Sequence, residues 1–132
     1  MCFKIDKGAT PWKQTIVFKV VRKRQLGGKS RYTGPHSYGK RTAYVRNQRT
    51  GINRHSVTNS GGKTYAGIYV LDSLLRAQSY ARCNFPREDV RIVKARVSPR
   101  SFLFAAGALQ GYDGCATYRS IVPVGNYLKV ST

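Results

Sequence analysis

The stretch TYAGIYVLDSLLRAQSYARCNFPREDVRIVKARV, residues 64–97, decides the fold class. It opens on a short run rich in β-branched and aromatic residues, TYAGIYVL, which predicts a strand. Asp72 then offers a helix N-cap, with Ser73 as the alternative. In SLLRAQSYARC the small and apolar residues Leu74, Ala77 and Ala81 fall on one helical stripe with Tyr80 beside it, while Arg76, Gln78 and Arg82 face outward. Asn84 and Pro86 stop the helix. In DVRIVKARV the period is two: Val93, Ala95 and Val97 share one side, and Ile92, Lys94 and Arg96 take the other. Strand, helix and strand with turn chemistry between them predict an α+β domain.

The rest of the chain adds strands and loops. TIVFKVVRKR, residues 15–24, predicts a strand with Ile16, Phe18 and Val20 on one face and Val21 and Lys23 on the other. QLGGKSRYTGPHSYGKR, residues 25–41, is rich in Gly, Ser, Tyr and Pro and predicts a loop. TAYVRNQ predicts a short strand, and RTGINRHSVTNSGG a second long basic loop. SFLFAA is short and apolar; ATYRSIVPV and NYLKV predict two final strands, with Pro123 marking an edge or a bulge. The expectation is one domain over residues 1–132: a mainly antiparallel β-sheet, whole or split, with one helix and long basic loops.

Charge narrows the function. The 132 residues carry 24 Lys and Arg against 5 Asp and Glu, a formal net charge of +19. Such a chain repels itself and attracts anions, and nucleic acid is the densest common anion. No carboxylate lies between Lys7 and Leu71, a region with Lys23, Arg24, Lys29, Arg31, Lys40, Arg41, Arg46, Arg49 and Arg54. Tyr32, Tyr38 and Tyr44 alternate with these cations, and aromatic rings stack on bases while cations neutralise phosphates. These residues are the expected nucleic-acid contacts. No helix-turn-helix, zinc finger or ribonucleoprotein motif accompanies them, so recognition of backbone and shape, of DNA or RNA, is expected. An acidic protein partner satisfies the same charge.

Other chemistries find less support. Gly62, Lys63 and Thr64 end like a phosphate-binding loop, but the glycine that should open it is Val57, and a strand rather than a helix follows. Gly61 and Gly62 are better taken as a turn. Cys2, Cys83 and Cys115 have no zinc-type spacing, so no metal is expected. An odd number of cysteines, no apolar leader and no apolar run long enough for a bilayer point to a cytoplasmic chain without a membrane partner. His36 and His55, with Lys40, Arg41, Arg54 and Tyr38, leave open a small basic ribonuclease.

Gly67, Ile68, Tyr69, Asp72, Ala77 and Tyr80 in GIYVLDSLLRAQSY resemble the middle motif of the ADP-ribosyltransferase superfamily, in its poly(ADP-ribose) polymerase branch. The resemblance covers about a quarter of the chain. It implies NAD as cofactor, Tyr69 and Tyr80 as cofactor-binding residues, Tyr80 stacking on nicotinamide, and Arg22 at the ribose-holding position of an early strand. It also implies a catalytic Glu on a late strand. The candidate strand offers Thr117, Tyr118 and Arg119, and no carboxylate; Asp113 stands earlier, in a glycine-rich turn. A developing cation needs a nearby anion, so a degenerate, non-catalytic member is expected, with no cofactor, though NAD or another nucleotide fits the implied cleft. Small basic single-domain chains are common among bacteriophages. The expectation is therefore a phage accessory or anti-defence protein that binds nucleic acid, with a transferase, an inhibitor of an acidic host protein and a sponge for a nucleotide-derived signal as alternatives.

Overall fold

In a computed structural model, residues 3–4, 11–35, 42–51, 59–60, 63–64, 67–105 and 114–130 are described. The predicted helix is α1 (Leu74–Asn84). Ser73, not Asp72, is its N-cap: Ser73 is extended and its Oγ accepts from the Arg76 N–H at 3.2 Å, which stabilises a helix start by about 1 kcal/mol. Asp72 has other work, its own N–H donating to the Gly114 carbonyl at 2.8 Å and its carboxylate meeting Arg76 one turn on at 3.5 Å. Ala77 and Ala81 are fully buried, as their stripe requires. The helix ends where the Phe85 N–H reaches the Ala81 carbonyl at 2.9 Å and Pro86 follows.

The strands are β1 (Phe3–Lys4), β2 (Ile16–Leu26), β3 (Lys29–Thr33), β4 (Thr50–Gly51), β5 (Asn59–Ser60), β6 (Lys63–Thr64), β7 (Ile68–Leu71), β8 (Val90–Arg96), β9 (Phe102–Ala105), β10 (Cys115–Tyr118) and β11 (Ser120–Lys129). The main sheet runs β4-β11-β8-β2-β7-β10-β9, with β3 also on β2, and a small sheet runs β1-β6-β5. Every strand pair is antiparallel. The architecture is α+β, with one α-helix among the described residues on an antiparallel sheet.

The main sheet is split at β2. Along one edge β2 pairs with β8 from Ile16 to Arg22. Along the other it touches β7 at a single register pair, Phe18 opposite Leu71, before β3 takes that edge from Arg22 onward. The chain then switches halves at Arg119: β10 pairs with β7 and β9, while β11 pairs with β8 and β4. One core cluster draws on both halves, with Val17 and Val21 of β2, Val93 and Ala95 of β8, Ile121 of β11, Ile68 and Val70 of β7, and Ala116 and Tyr118 of β10. A second lies against α1, where Val20, Ile92, Tyr69, Leu71 and Cys115 meet Ala77, Ala81 and Phe85. Alternate residues of β2 thus feed two cores, which is why the strand is apolar on both faces.

Several expectations change. Residues 25–33 are not loop: Gly27 and Gly28, at φ +59° and +78°, form a two-residue turn joining β2 to β3. Positive φ at both central residues matches the twist of a hairpin, so the glycines there serve the sheet. TAYVRNQ is not a strand; only Ala43 bridges Thr33, and the chain turns at Asn47, φ 64°. Ile16 is 36 % exposed instead of sharing the buried face of Val20. The last two strands divide at Arg119, and Val124 to Lys129 continue β11. Pro123 does stand at a bulge, the register to β8 shifting between Pro123 and Tyr127. Residues 61 and 62, taken as a turn, lie outside the described residues.

Candidate nucleic-acid interface

The β2–β3 hairpin and the far end of β11 bring two tyrosines together. Tyr32 and Tyr127 stack with ring centroids 3.8 Å apart and planes 3° from parallel. Backbone and hydroxyl bonds fix them: the Tyr44 N–H donates to the Tyr32 carbonyl at 2.8 Å, and the Tyr127 hydroxyl donates to the Tyr44 carbonyl at 2.7 Å. Burial pushes the Tyr127 phenol above its ordinary pKa, so it stays neutral and remains a donor. Around the pair lies a cleft of about 730 Å³ lined by Ser30, Arg31, Tyr32, Ala43, Tyr44, Val45, Arg46 and Tyr127. Arg31 and Arg46 are exposed, and Arg46 donates to Asn126 Oδ1 at 2.7 Å. Tyr44, 4 % exposed, is part of the core rather than a free stacking face, with the Lys19 ammonium 5.5 Å from its ring centre. Aromatic rings beside guanidinium groups are the combination with which single-strand-binding proteins generally take up bases and phosphates.

Residues 42–51 carry this cleft along β11. After Tyr44 and Arg46 have met Tyr127 and Asn126, the Asn47 N–H donates to the Pro123 carbonyl at 2.7 Å, and Thr50 pairs with Ile121. A second cleft of about 500 Å³ opens there, lined by Arg49, Arg96, Arg100 and Arg119 with Ser98, Ser101 and Ser120. The two clefts thus share one edge of the sheet. From Ile121 to Tyr127 that edge extends roughly 20 Å at the rise of a strand.

The described carboxylates lie elsewhere. Glu88 pairs with Arg22 at 3.1 Å, Asp72 with Arg76 at 3.5 Å, and Asp89 with Arg91. Arg31, Arg46, Arg49, Arg96, Arg100 and Arg119 receive none of them.

Of the expected contacts, Lys29, Arg31, Arg46 and Arg49 are exposed, and Lys23 is half-buried. Arg24 is spent within the hairpin, donating to Thr33 Oγ1 at 2.9 Å and to the Pro35 carbonyl at 3.2 Å. Lys40, Arg41, Arg54, Tyr38, His36, His55 and Asp113 lie outside the described residues. Arg96, Arg100, Arg119 and Tyr127 were not anticipated. Arg96 was legible as an outward position of its strand; Arg119 and Tyr127 were hidden by the misplaced boundary between the last two strands. Among the described residues no group of three or more His, Cys, Asp and Glu could hold a metal, and no helix is long and apolar enough to cross a membrane.

The residues of the transferase-like motif sit on the α1 side. Arg22 is held by Glu88. Tyr69 is buried under the helix, opposite Thr117 across the β7–β10 pair. Tyr80 is half-buried, edge-on to Phe85 with centroids 6.0 Å apart. Neither tyrosine nor Arg22 lines the two clefts above. Thr117 is fully buried and its Oγ1 has no hydrogen-bond partner. The motif glycine has a packing reason of its own: Gly67 has φ +90°, and a Cβ there would stand 2.6 Å from Thr117 Cβ.

Comparison of the chain with protein-family models, with curated proteins and with solved structures finds no match.

Proposed function

We propose that this chain binds nucleic acid without turning it over, seating a single strand along the β11 edge. The observation that carries the reading is the Tyr32–Tyr127 stack in a cleft that Arg31 and Arg46 also line and that no carboxylate lines. A ring stack of this kind extends by accepting a base, and a base is free to stack only where the strand is unpaired. The setting we favour is the cytoplasm, as a phage accessory or anti-defence factor.

The test is fluorescence anisotropy with labelled single-stranded DNA and RNA and with duplex, between 50 and 200 mM salt. Single strands are expected to bind more tightly than duplex, with affinity falling steeply as salt rises. Each phosphate neutralised adds about 0.7 to the salt slope. Tyr127→Ala is expected to weaken binding by about 1–3 kcal/mol, the range for losing one base–aromatic stack. Failure of every probe to bind the wild-type protein at 50 mM salt would refute the proposal.

A second reading rests on the sheet order. The strands that the transferase resemblance assigns to its early, middle and late motifs, β2, β7 and β10, are neighbours in that order. A degenerate nucleotide cleft on the α1 side is consistent with this, and nicotinamide release from NAD, lost on Tyr80→Ala, would reveal surviving activity. We expect none, because the late strand, with Thr117, Tyr118 and Arg119, offers no carboxylate to meet a developing cation.

A further inference from the structure

The second cleft has a composition that plain backbone binding does not require. Arg49, Arg96, Arg100 and Arg119 converge on about 500 Å³ with no carboxylate in the lining. A backbone phosphodiester brings one negative charge, which leaves most of that cationic charge unanswered. A phosphate monoester brings about −1.5 to −2 near neutral pH and three acceptor oxygens. Guanidinium forks match such oxygens in pairs.

The walls are also fixed in advance. The Ser101 hydroxyl donates to the Ser98 carbonyl at 3.0 Å and lies 3.3 Å from the Ser120 carbonyl, and the Arg119 N–H donates to the Ser101 carbonyl at 2.7 Å. These bonds tie the turn before β9 to the start of β11. The arginines therefore stand on a frame that a ligand need not organise, and preorganisation of this kind favours affinity. Arg49, Arg96, Arg100 and Arg119 are all exposed, so their side chains are open to an anion from solvent.

We infer that the Arg49–Arg96–Arg100–Arg119 cleft is a seat for a terminal phosphate monoester, holding the phosphorylated end of the strand whose bases stack at Tyr32 and Tyr127. This rests on the nucleic-acid reading and deepens it: the ligand class becomes an end-phosphorylated single strand.

The experiment compares labelled oligothymidylates carrying a 5′-phosphate, a 3′-phosphate or hydroxyls at both ends, on the wild-type protein and on Arg96→Gln/Arg100→Gln. One phosphorylated end is expected to bind about tenfold more tightly than the hydroxyl-ended strand, and which end does so gives the polarity. The double variant is expected to erase that advantage, the end-phosphorylated strand losing about tenfold more affinity than the hydroxyl-ended strand, which loses only its share of the general attraction to phosphates. Both side chains are exposed, and a thermal melt checks that the variant is folded. Equal wild-type affinity for all three oligomers overturns the inference, as does an equal loss for all three in the variant, which would make the arginines ordinary backbone contacts. If no oligomer binds the wild type, the nucleic-acid reading fails and inorganic pyrophosphate measured by calorimetry decides the site. Saturable binding lost in the double variant supports an anion seat, and no binding overturns it.

Discussion

Lys19 lies on the central strand, 6 % exposed, with no described carboxylate paired to it. Burial lowers its pKa from 10.5 to about 8. At 1.36 kcal/mol per tenfold change in proton affinity, keeping this ammonium in the folded core costs about 3 kcal/mol at neutral pH. The Tyr44 ring, 5.5 Å away, returns part of it, about 0.5–2 kcal/mol for a cation–π contact. Lys19→Met keeps the length of the side chain and removes the charge, so the variant is expected to be more stable at pH 7 by about 2 kcal/mol. The sign with pH follows from linkage. Below about pH 8 both folded and unfolded chains hold the proton and the penalty is full; between about 8 and 10.5 only the unfolded chain holds it, so stability rises with pH. From pH 7 to pH 9 the wild type should gain about 1 kcal/mol from this group and the variant nothing. Cys115, pushed up to about 12 by burial although the Lys19 charge lowers it, works the other way above its ordinary value of 9.0, so the comparison stops at pH 9. Urea unfolding under reducing conditions at both pH values measures the gap. A Met variant less stable than wild type at pH 7, or a gap that does not narrow at pH 9, would show that the lysine is not held in the core as a strained charge.

Three further outcomes test the packing. Gly67→Ala forces a side chain into φ +90° and against Thr117; a loss of roughly 2–4 kcal/mol in urea unfolding is expected from overpacking and backbone strain together, and an unchanged midpoint would refute the close approach. Thr117→Val replaces a buried hydroxyl that has no partner with a methyl group of similar shape, and should raise stability by about 1 kcal/mol; a loss would mean that the hydroxyl is satisfied. Ser73→Ala removes the cap of α1 and should cost about 1 kcal/mol, whereas Asp72→Asn, which leaves the cap in place, should cost less.

What was legible in the sequence follows from how local each signal is. The helix was readable because Ala77 and Ala81 fall on one stripe and Pro86 closes it. The alternation in β8 was readable because Val93 and Ala95 enter one core from one face while Lys94 and Arg96 on the other face are exposed. The hairpin was missed because Gly27 and Gly28 carry the same composition in a loop and in a tight turn; only the backbone angles distinguish the two. The boundary at Arg119 was missed because the change of partner strand from β7 to β8 is a tertiary event that leaves no mark in hydrophobic period. The aromatic platform was half legible. Tyr32 was marked by its basic surroundings, but its stacking partner Tyr127 comes from the opposite end of the chain, and nothing local announces that pairing.

The division of charge in this fold is produced by topology rather than by composition alone. Asp72 stands before α1, and Glu88 and Asp89 stand in the turn that returns the chain to β8; each meets an arginine close by, Arg76, Arg22 and Arg91. All three carboxylates belong to the segment around the helix. The β11 edge is built from residues 42–51 and from Arg96, Ser98–Ser101 and the strand that starts after Arg119, and these stretches carry no carboxylate. Scattering the same residues at random would mix the signs, as surfaces selected only for solubility do. Here the segment around the helix holds the neutralising carboxylates, and the two clefts keep Arg31, Arg46, Arg49, Arg100 and Arg119 exposed, the first of them beside a stacked tyrosine pair. Mutual repulsion along that edge opposes folding, and a bound polyanion would relieve it. The protein should therefore melt at a higher temperature with a single-stranded oligonucleotide than without one, by an amount that shrinks as salt rises. Neutralising Arg46, Arg49 and Arg100 should stabilise the free protein at low salt while abolishing that ligand-dependent shift, a reciprocal pattern that cations with purely structural roles would not give.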